Sequence, residues 1–357
     1  MPVIWSVISL KAFFILFIGL LYAIRGKKVK NPGAICISVN TSYLKIDWDM
    51  CRCYTLRDSE IRKPEQQRKI IKKDRENRMA YKRILTIQDI SCVGQCSLTV
   101  ALPILSACSL ETAILPSAVL STHTAGFHGF TFTDLTEEFP KIEEHWMREN
   151  ISFSAVYTGY LGSVNQISYV KDIVKNCMDK DGTFIVDPAM ADFGKLYPPF
   201  DKTYVEAMKQ LCFDPMVKII LPNITEAAYL TDSEFREEYD EAYIHMLLEK
   251  LAASGAKIIV LTGVGYTKDT TGVAVYENGE YSYYKHHHYD QGCHGTGDVY
   301  ASAFTGAYLN GKSACEAAKI AADYTLRCIE KTHEDEKHWY GVKFELVLPE
   351  LEKAIFG

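Results

Sequence analysis

The chain has 357 residues, 48% of them hydrophobic, which excludes a disordered protein and leaves room for one large α/β domain or two small ones around a real core. Its formal net charge of −6 is unevenly spread: residues 1–78 carry 16 Lys or Arg against 7 Asp or Glu, and the remainder 23 against 38. So acidic a body excludes nucleic acid as the natural partner, because a phosphate backbone needs a basic face.

Val3 to Ile24 is apolar except for Ser6, Ser9 and Lys11, and as a helix would reach ~33 Å, enough to cross a bilayer. Arg25, Lys27, Lys28 and Lys30 follow it and would keep the rest of the chain in the cytoplasm. A cleaved secretory signal fits poorly, since no basic segment precedes the run and no small-x-small site closes it. From Asn31 no sustained period of 2 or 3.6 appears before the charged stretch Arg62 to Arg78. Met79-Ala80-Tyr81-Lys82-Arg83 then leads straight into an apolar strand. We therefore expect residues 1–78 to be an extension outside the catalytic fold, with Met79 beginning the working protein. A membrane is a partner only if residues 3–24 are retained.

Strands are predicted over Ile84–Gln88, Thr112–Leu115, Ala155–Thr158, Phe184–Asp187, Lys218–Leu221 and Ile258–Leu261. Helices fall between them: Cys96–Ala107 with Pro103 inside, a mainly helical segment Phe132–Glu149, then Val164–Met178, Lys202–Leu211, Ile224–Leu230 and Glu237–Ala253. This alternation indicates a mostly parallel sheet covered on both faces. Asn278-Gly279 between Gly272–Tyr276 and Tyr281–Lys285 is the signature of a tight antiparallel hairpin, placed at one edge of that sheet. The stretch Pro188–Phe200, with Gly194 and Pro198-Pro199, is too long for a tight connection and reads as a mobile functional loop.

Almost every strand ends in polar groups, where ligands of a parallel sheet collect: Gln88-Asp89, Ser121-Thr122-His123-Thr124, Thr158-Gly159-Tyr160, Asp187, Asn223 to Glu226, and Thr262. Gly295-Thr296-Gly297-Asp298 then opens the helix-like run Val299–Leu309. Glycines permit close approach of a ligand, helix-opening amides favour phosphate oxygens, and a carboxylate stands beside them. That combination suits phosphoryl transfer to an alcohol. Eleven cysteines lack the paired spacing of a zinc site, so a reducing compartment and no structural metal are expected. His286-His287-His288 reads as a solvated strand end.

Taken in order, Ile87-Gln88-Asp89, Val93-Gly94-Gln95-Cys96-Ser97, Leu120 to Thr124, Val186-Asp187-Pro188 with Asp192 and Gly194-Lys195-Leu196-Tyr197, Pro222-Asn223-x-x-Glu226 and Gly295 to Asp298 resemble the pyridoxal/pyridoxamine kinases of the ribokinase-like superfamily, in their bacterial branch. The resemblance runs from about Met79 almost to the C-terminus. It implies a three-layer αβα fold and ATP-dependent phosphorylation of the 5′-hydroxymethyl group of pyridoxal, pyridoxamine or pyridoxine, in a cytoplasmic homodimer that uses Mg²⁺. By the same resemblance Asp298 takes the proton of the attacking hydroxyl while amides of Gly295 to Gly297 stabilise the transferring γ-phosphoryl group. Asn223 and Glu226 organise Mg²⁺ largely through water, although both also read as a helix N-terminal cap. Asp187 sits near phosphates and metal, and Thr262 and Thr296 belong to the ATP side. Asp89, Thr124 and Tyr160 match positions that contact the pyridine ring, Asp89 replacing the Ser of many relatives and so favouring an amine-bearing or protonated ring. Cys293 lies where a thiol activated by the helix terminus or His294 would add to the aldehyde of pyridoxal; it also reads as a small side chain packed behind the turn. Lys195 reads as a phosphate contact or a solvated loop charge, and His123 as a substrate-loop or structural group. A hydroxymethylpyrimidine kinase and a non-catalytic vitamin B6 carrier are the alternatives.

Overall fold

The computed structural model describes residues 81–289, 293–335 and 337–357. The apolar run at 3–24, the charged stretch at 62–78 and the start at Met79 lie outside these residues. In chain order the strands are β1 (Arg83–Ser91), β2 (Glu111–Leu120), β3 (Phe132–Asp134), β4 (Phe153–Thr158), β5 (Met178–Val186), β6 (Ala191–Asp192), β7 (Lys195–Leu196), β8 (Val217–Ile220), β9 (Ile258–Thr262), β10 (Thr270–Glu277) and β11 (Glu280–His287). The helices are α1 (Leu98–Ala107), α2 (Phe139–Arg148), α3 (Val164–Cys177), α4 (Lys202–Cys212), α5 (Ile224–Leu230), α6 (Glu241–Ala253), α7 (Thr296–Leu309), α8 (Ala314–His333) and α9 (Leu348–Phe356).

The main sheet has the order β11-β10-β9-β8-β5-β4-β1-β2-β3, parallel from β9 to β2 and antiparallel at both edges. Strand side chains alternate between two cores. Leu85, Ile87, Val156, Phe184, Val186, Ile259 and Leu261 meet α2 to α6, whereas Ile84, Ala155, Tyr157, Ile185, Ile258 and Val260 meet α1, α7, α8 and α9. That alternation is what makes three layers, and the ribokinase-like αβα class expected from the sequence is the class observed. The Asn278-Gly279 turn joins β10 to β11 with φ of 55° and 84°, as a tight hairpin requires.

Three local expectations change. Phe132–Glu149 opens as the edge strand β3, pairs with β2, and turns into α2 through a short 3₁₀ segment whose first amide, of Thr136, is held by Asp134 Oδ1 at 2.6 Å. Helix α6 starts at Glu241 rather than Glu237, because Asp240 caps it by accepting from the Tyr243 amide at 2.9 Å. The loop at 188–200 holds a small hairpin, β6 with β7, and is hydrogen-bonded to its surroundings. Among the described residues no helix is long and apolar enough to cross a membrane.

Candidate active site

The parallel strands β1, β4, β5, β8 and β9 all end at one edge of the sheet, and α7 begins there. Its N-cap is Gly295, with φ of 81°, where a Cβ would fall 1.9 Å from the Gln95 carbonyl oxygen. Only glycine lets the turn lie against the segment after β1. Among the described residues a Cβ at Gly297 would meet nothing within 4 Å, so none of them covers that backbone. The first amides of α7 have no acceptor within their own helix and are offered to that space.

Asp298 is fixed at this end. Its Oδ2 accepts a hydrogen bond from the Ser97 amide at 3.0 Å, Ser97 being the N-cap of α1 with φ of 54°. The carboxylate thus sits at the positive ends of two helices. Its surroundings nevertheless raise its pKa to about 6: loss of hydration outweighs the Ser97 bond, and the nearby Asp89 charge adds to the rise.

Two more carboxylates share the space. Asp187, directly after β5, is pushed well above the ordinary carboxylate range by burial, then by Glu226 and Asp298, while its bond from the Ala189 amide opposes the rise. Glu226, 2% exposed, forms a capping box with Asn223: Glu226 Oε2 accepts from the Asn223 amide and Asn223 Oδ1 from the Glu226 amide, both at 2.9 Å. Oε1 of Glu226 also accepts from the amides of Met190 at 3.0 Å and Ala191 at 3.5 Å, while Asn223 Nδ2 donates to the Ala191 carbonyl at 2.8 Å. Burial lifts Glu226 to about 7 against these bonds. Oε1 is saturated, and Oε2 keeps one lone pair for a further partner. Asp298 and Glu226 are linked through Asp187, which feels both.

On the other flank Asp89 is 7% exposed, accepts from Ser91 Oγ at 3.1 Å, and is raised chiefly by burial. Tyr160 stands near it, its hydroxyl pushed up to about 12 by burial, Asp89 and Asp134. Thr124 is exposed on the loop after β2. The neighbouring His123 is buried; its Nδ1 accepts from the Ala125 amide at 3.2 Å, so its Nε2 is the donor to the Tyr340 carbonyl at 2.9 Å. Thr262, at the end of β9, bonds through its amide to Pro222, and Thr296 Oγ1 donates to the Cys293 carbonyl at 3.3 Å. Lys195 is exposed.

Cys293 packs against the α8 side of the core with its sulfur 3.7 Å from His333 Nε2. Burial pushes its thiol up, and His294 is lowered by burial and by His123, so the electrostatics here oppose an activated thiolate and match the small packed side chain. Sequence reasoning gave no role to Ser97, 201 positions before Asp298, nor to Tyr197, whose hydroxyl burial and the surrounding carboxylates keep protonated. Nothing in a linear motif marks a backbone amide as the partner of so distant a side chain.

A half-sunken carboxylate on the first turn of a helix, sharing its space with a second pair of carboxylates, is an arrangement for moving a proton where phosphate charge gathers. Residues 105–342 match the family described as phosphomethylpyrimidine kinase. The chain belongs to this kinase family. A Bacteroides thetaiotaomicron protein assigned as a phosphomethylpyrimidine kinase and solved with pyridoxal is 34% identical, superposes with a TM-score of 0.72, and the match covers 76% of this chain and 96% of that one. The pyridoxal kinase of Lactobacillus plantarum is 30% identical with a TM-score of 0.70, over 76% of this chain and 97% of that one. A Caenorhabditis elegans relative, assigned as a pyridoxal kinase, is 33% identical over 132 residues, 36% of this chain and only 39% of the relative. Within this family of phosphomethylpyrimidine and pyridoxal kinases, members of the ribokinase-like superfamily, the cluster of Asp298, Asp187 and Glu226 at one sheet edge is the candidate active site.

Proposed function

We propose that the protein transfers the γ-phosphoryl group of ATP to the 5′-hydroxymethyl group of a vitamin B6 compound, pyridoxal, pyridoxamine or pyridoxine. The observation that carries this is Asp298, held by the Ser97 amide at 3.0 Å on the first turn of α7. With its carboxyl at about 6, Asp298 is mostly ionised at neutral pH yet basic enough to receive the proton of an attacking alcohol. The amides of Thr296 and Gly297, on a turn left open by Gly297, stabilise charge on the phosphoryl oxygens. Asp89 and Tyr160 bind and orient the pyridine ring, with Thr124 at the rim and Cys293 behind the turn, and Thr262 and Thr296 border the nucleotide.

Asp187 and Glu226 suit Mg²⁺: two carboxylates repel each other, and Glu226 has one lone pair left, which fits a hard cation held through its waters. When bound, the ion neutralises charge on the β- and γ-phosphates. Asn223 keeps Glu226 in place through the capping box. Support for the B6 class comes from the pyridoxal bound by the Bacteroides relative and from the Lactobacillus pyridoxal kinase. The family's own description favours a second reading, phosphorylation of hydroxymethylpyrimidine.

The test is ATP turnover by the purified full chain with Mg²⁺ on pyridoxal, pyridoxamine, pyridoxine and hydroxymethylpyrimidine. A kcat/KM at least tenfold higher on a B6 compound is expected. Preference for the pyrimidine overturns the substrate, and B6 binding without ATP turnover overturns the enzyme in favour of a carrier. We further propose a cytoplasmic homodimer whose residues 1–78 stand outside the catalytic fold; abundant native peptides from before Met79 would count against a start there.

A further inference from the structure

Three successive residues in the connection from β4 to α3 are gripped by side chains from β2, α3 and α4. Ser117 Oγ donates to the Tyr160 carbonyl at 3.0 Å, the Tyr204 hydroxyl donates to the Leu161 carbonyl at 2.7 Å, and the Gly162 amide donates to Gln166 Oε1 at 2.7 Å. The Tyr160 ring is backed as well: it lies 5.5 Å from Phe200, which stacks on Tyr204 at 3.7 Å. A connection held in this way forfeits the mobility usual for a loop and becomes a preformed wall.

Gln166, with no exposure, is the centre of this arrangement. Its Nε2 donates to the Ser117 carbonyl at 2.9 Å and to Thr136 Oγ1 at 2.8 Å; a carbonyl that can only accept and a Gly162 amide that can only donate fix which end of the side chain is oxygen. A helix cap needs only an acceptor. As the third residue of α3, a Glu would supply one to the amide of the N-cap Ser163 in a capping box, whereas Gln166 reaches one residue further back and directs its NH₂ group to β2 and the segment before α2. The Ser117 carbonyl also accepts from the Leu135 amide at 3.1 Å, and Ser117 and Leu135 flank the loop that carries Thr124. One buried amide therefore joins the wall bearing Tyr160 to the root of the loop bearing Thr124.

We propose that Gln166, acting through Ser117 and Gly162, is a positioning residue that sets Tyr160 and the root of the Thr124 loop as one unit against the pyridine ring of the substrate. This rests on the reading of Tyr160 and Thr124 as ring contacts given above. Breaking the unit loosens the hold on the ring and spares the nucleotide side, which is built on β9, α5 and α7. The signature is a change in affinity for one substrate and not for the other.

The experiment measures KM for the preferred of the four compounds and for ATP, together with melting temperatures, in the full chain and in its Gln166→Met, Ser117→Ala, Tyr160→Ala and Val170→Ala variants. Methionine keeps the length of the Gln166 side chain without its hydrogen bonds, and alanine at 117 removes the hydroxyl that holds the Tyr160 carbonyl. Val170, fully buried one turn further along α3, reports what plain loss of packing does. Gln166→Met and Ser117→Ala are expected to raise KM for the acceptor roughly three- to tenfold, the size of one lost hydrogen bond, with KM for ATP within about twofold. Val170→Ala is expected to melt lower with both KM values within about twofold. An unmoved acceptor KM in either Gln166→Met or Ser117→Ala, a rise shared equally by ATP, or an equal rise in Val170→Ala overturns the proposal. An unmoved acceptor KM in Tyr160→Ala, or a wild type that phosphorylates none of the four compounds, overturns instead the reading of Tyr160 as a ring contact, and the role of Gln166 falls with it. If Gln166→Met does not fold, Ser117→Ala decides.

Discussion

Asp298 combines two demands that pull its carboxyl in opposite directions. The Ser97 amide favours the charged form, and burial with Asp89 nearby favours the neutral one, with burial the stronger. Between its ordinary pKa of 3.8 and about 6 the folded chain binds a proton that the unfolded chain has released. Stability therefore falls as pH rises through that window, and above pH 6 the ionised carboxylate costs about 1–2 kcal/mol, discounted because it remains partly accessible. Asp298→Asn is expected to lower kcat by roughly 10²–10⁴-fold with nucleotide affinity within about twofold. The same variant is expected to melt above wild type at pH 8 and close to it at pH 4. Steady-state kinetics, nucleotide titration and melting curves check the three parts; a variant that keeps its kcat would remove Asp298 from the chemistry.

At the level of elements, two short segments build the site. Gly295→Ala would set a Cβ 1.9 Å from the Gln95 carbonyl at φ of 81°, displacing α7 from the segment after β1, whereas the same change at Gly297 meets nothing within 4 Å among the described residues. The expected result is loss of activity with a clearly lowered melting point for Gly295→Ala, and near-normal stability with impaired ATP turnover for Gly297→Ala. Glu226→Ala strips the partner from the amides of Asn223, Met190 and Ala191 and should cost ~2 kcal/mol or more in urea unfolding, partly offset by removal of a buried charge. The parallel strands were legible in the sequence because runs such as Ile258–Leu261 are apolar and bounded by turn residues, and Asn278-Gly279 marked its hairpin. Strands β3, β6 and β7 were not, because segments of two or three residues carry no period. The β5 start at Met178 was hidden because α3 runs into it without a breaking residue. Of the site, the glycine turn, Asp298 and the Asn223–Glu226 pair were visible as motifs; the Ser97 contact and the mutual burial of Asp187 with Glu226 arise only when distant strand ends meet.

Across the whole molecule the parallel strands bring β5, α5 and α7 to one edge, so Asp187, Glu226 and Asp298 arrive from three separate parts of the chain and repel one another. No group of three His, Cys, Asp or Glu side chains that could hold a metal ion exists among the described residues. Glu226 at about 7 and Asp298 at about 6 are both raised above their unfolded values. The sign follows: the advantage of the folded state is complete below the unfolded values of 3.8 and 4.5, and is lost as pH climbs from there through about 6 for Asp298 and about 7 for Glu226. A divalent cation bound with nucleotide offsets the accumulated charge, so the melting-point gain from Mg²⁺ with a non-hydrolysable ATP analogue is expected to be small at pH 5.5 and several degrees larger at pH 8. The nucleotide titrates in the same range, and Glu226→Gln separates the two contributions: its gain should vary less with pH than that of wild type, by the share Glu226 supplies. Equal pH dependence in both proteins would mean that the cation never faces Glu226, and that the carboxylate serves α5 and the β6–β7 hairpin alone.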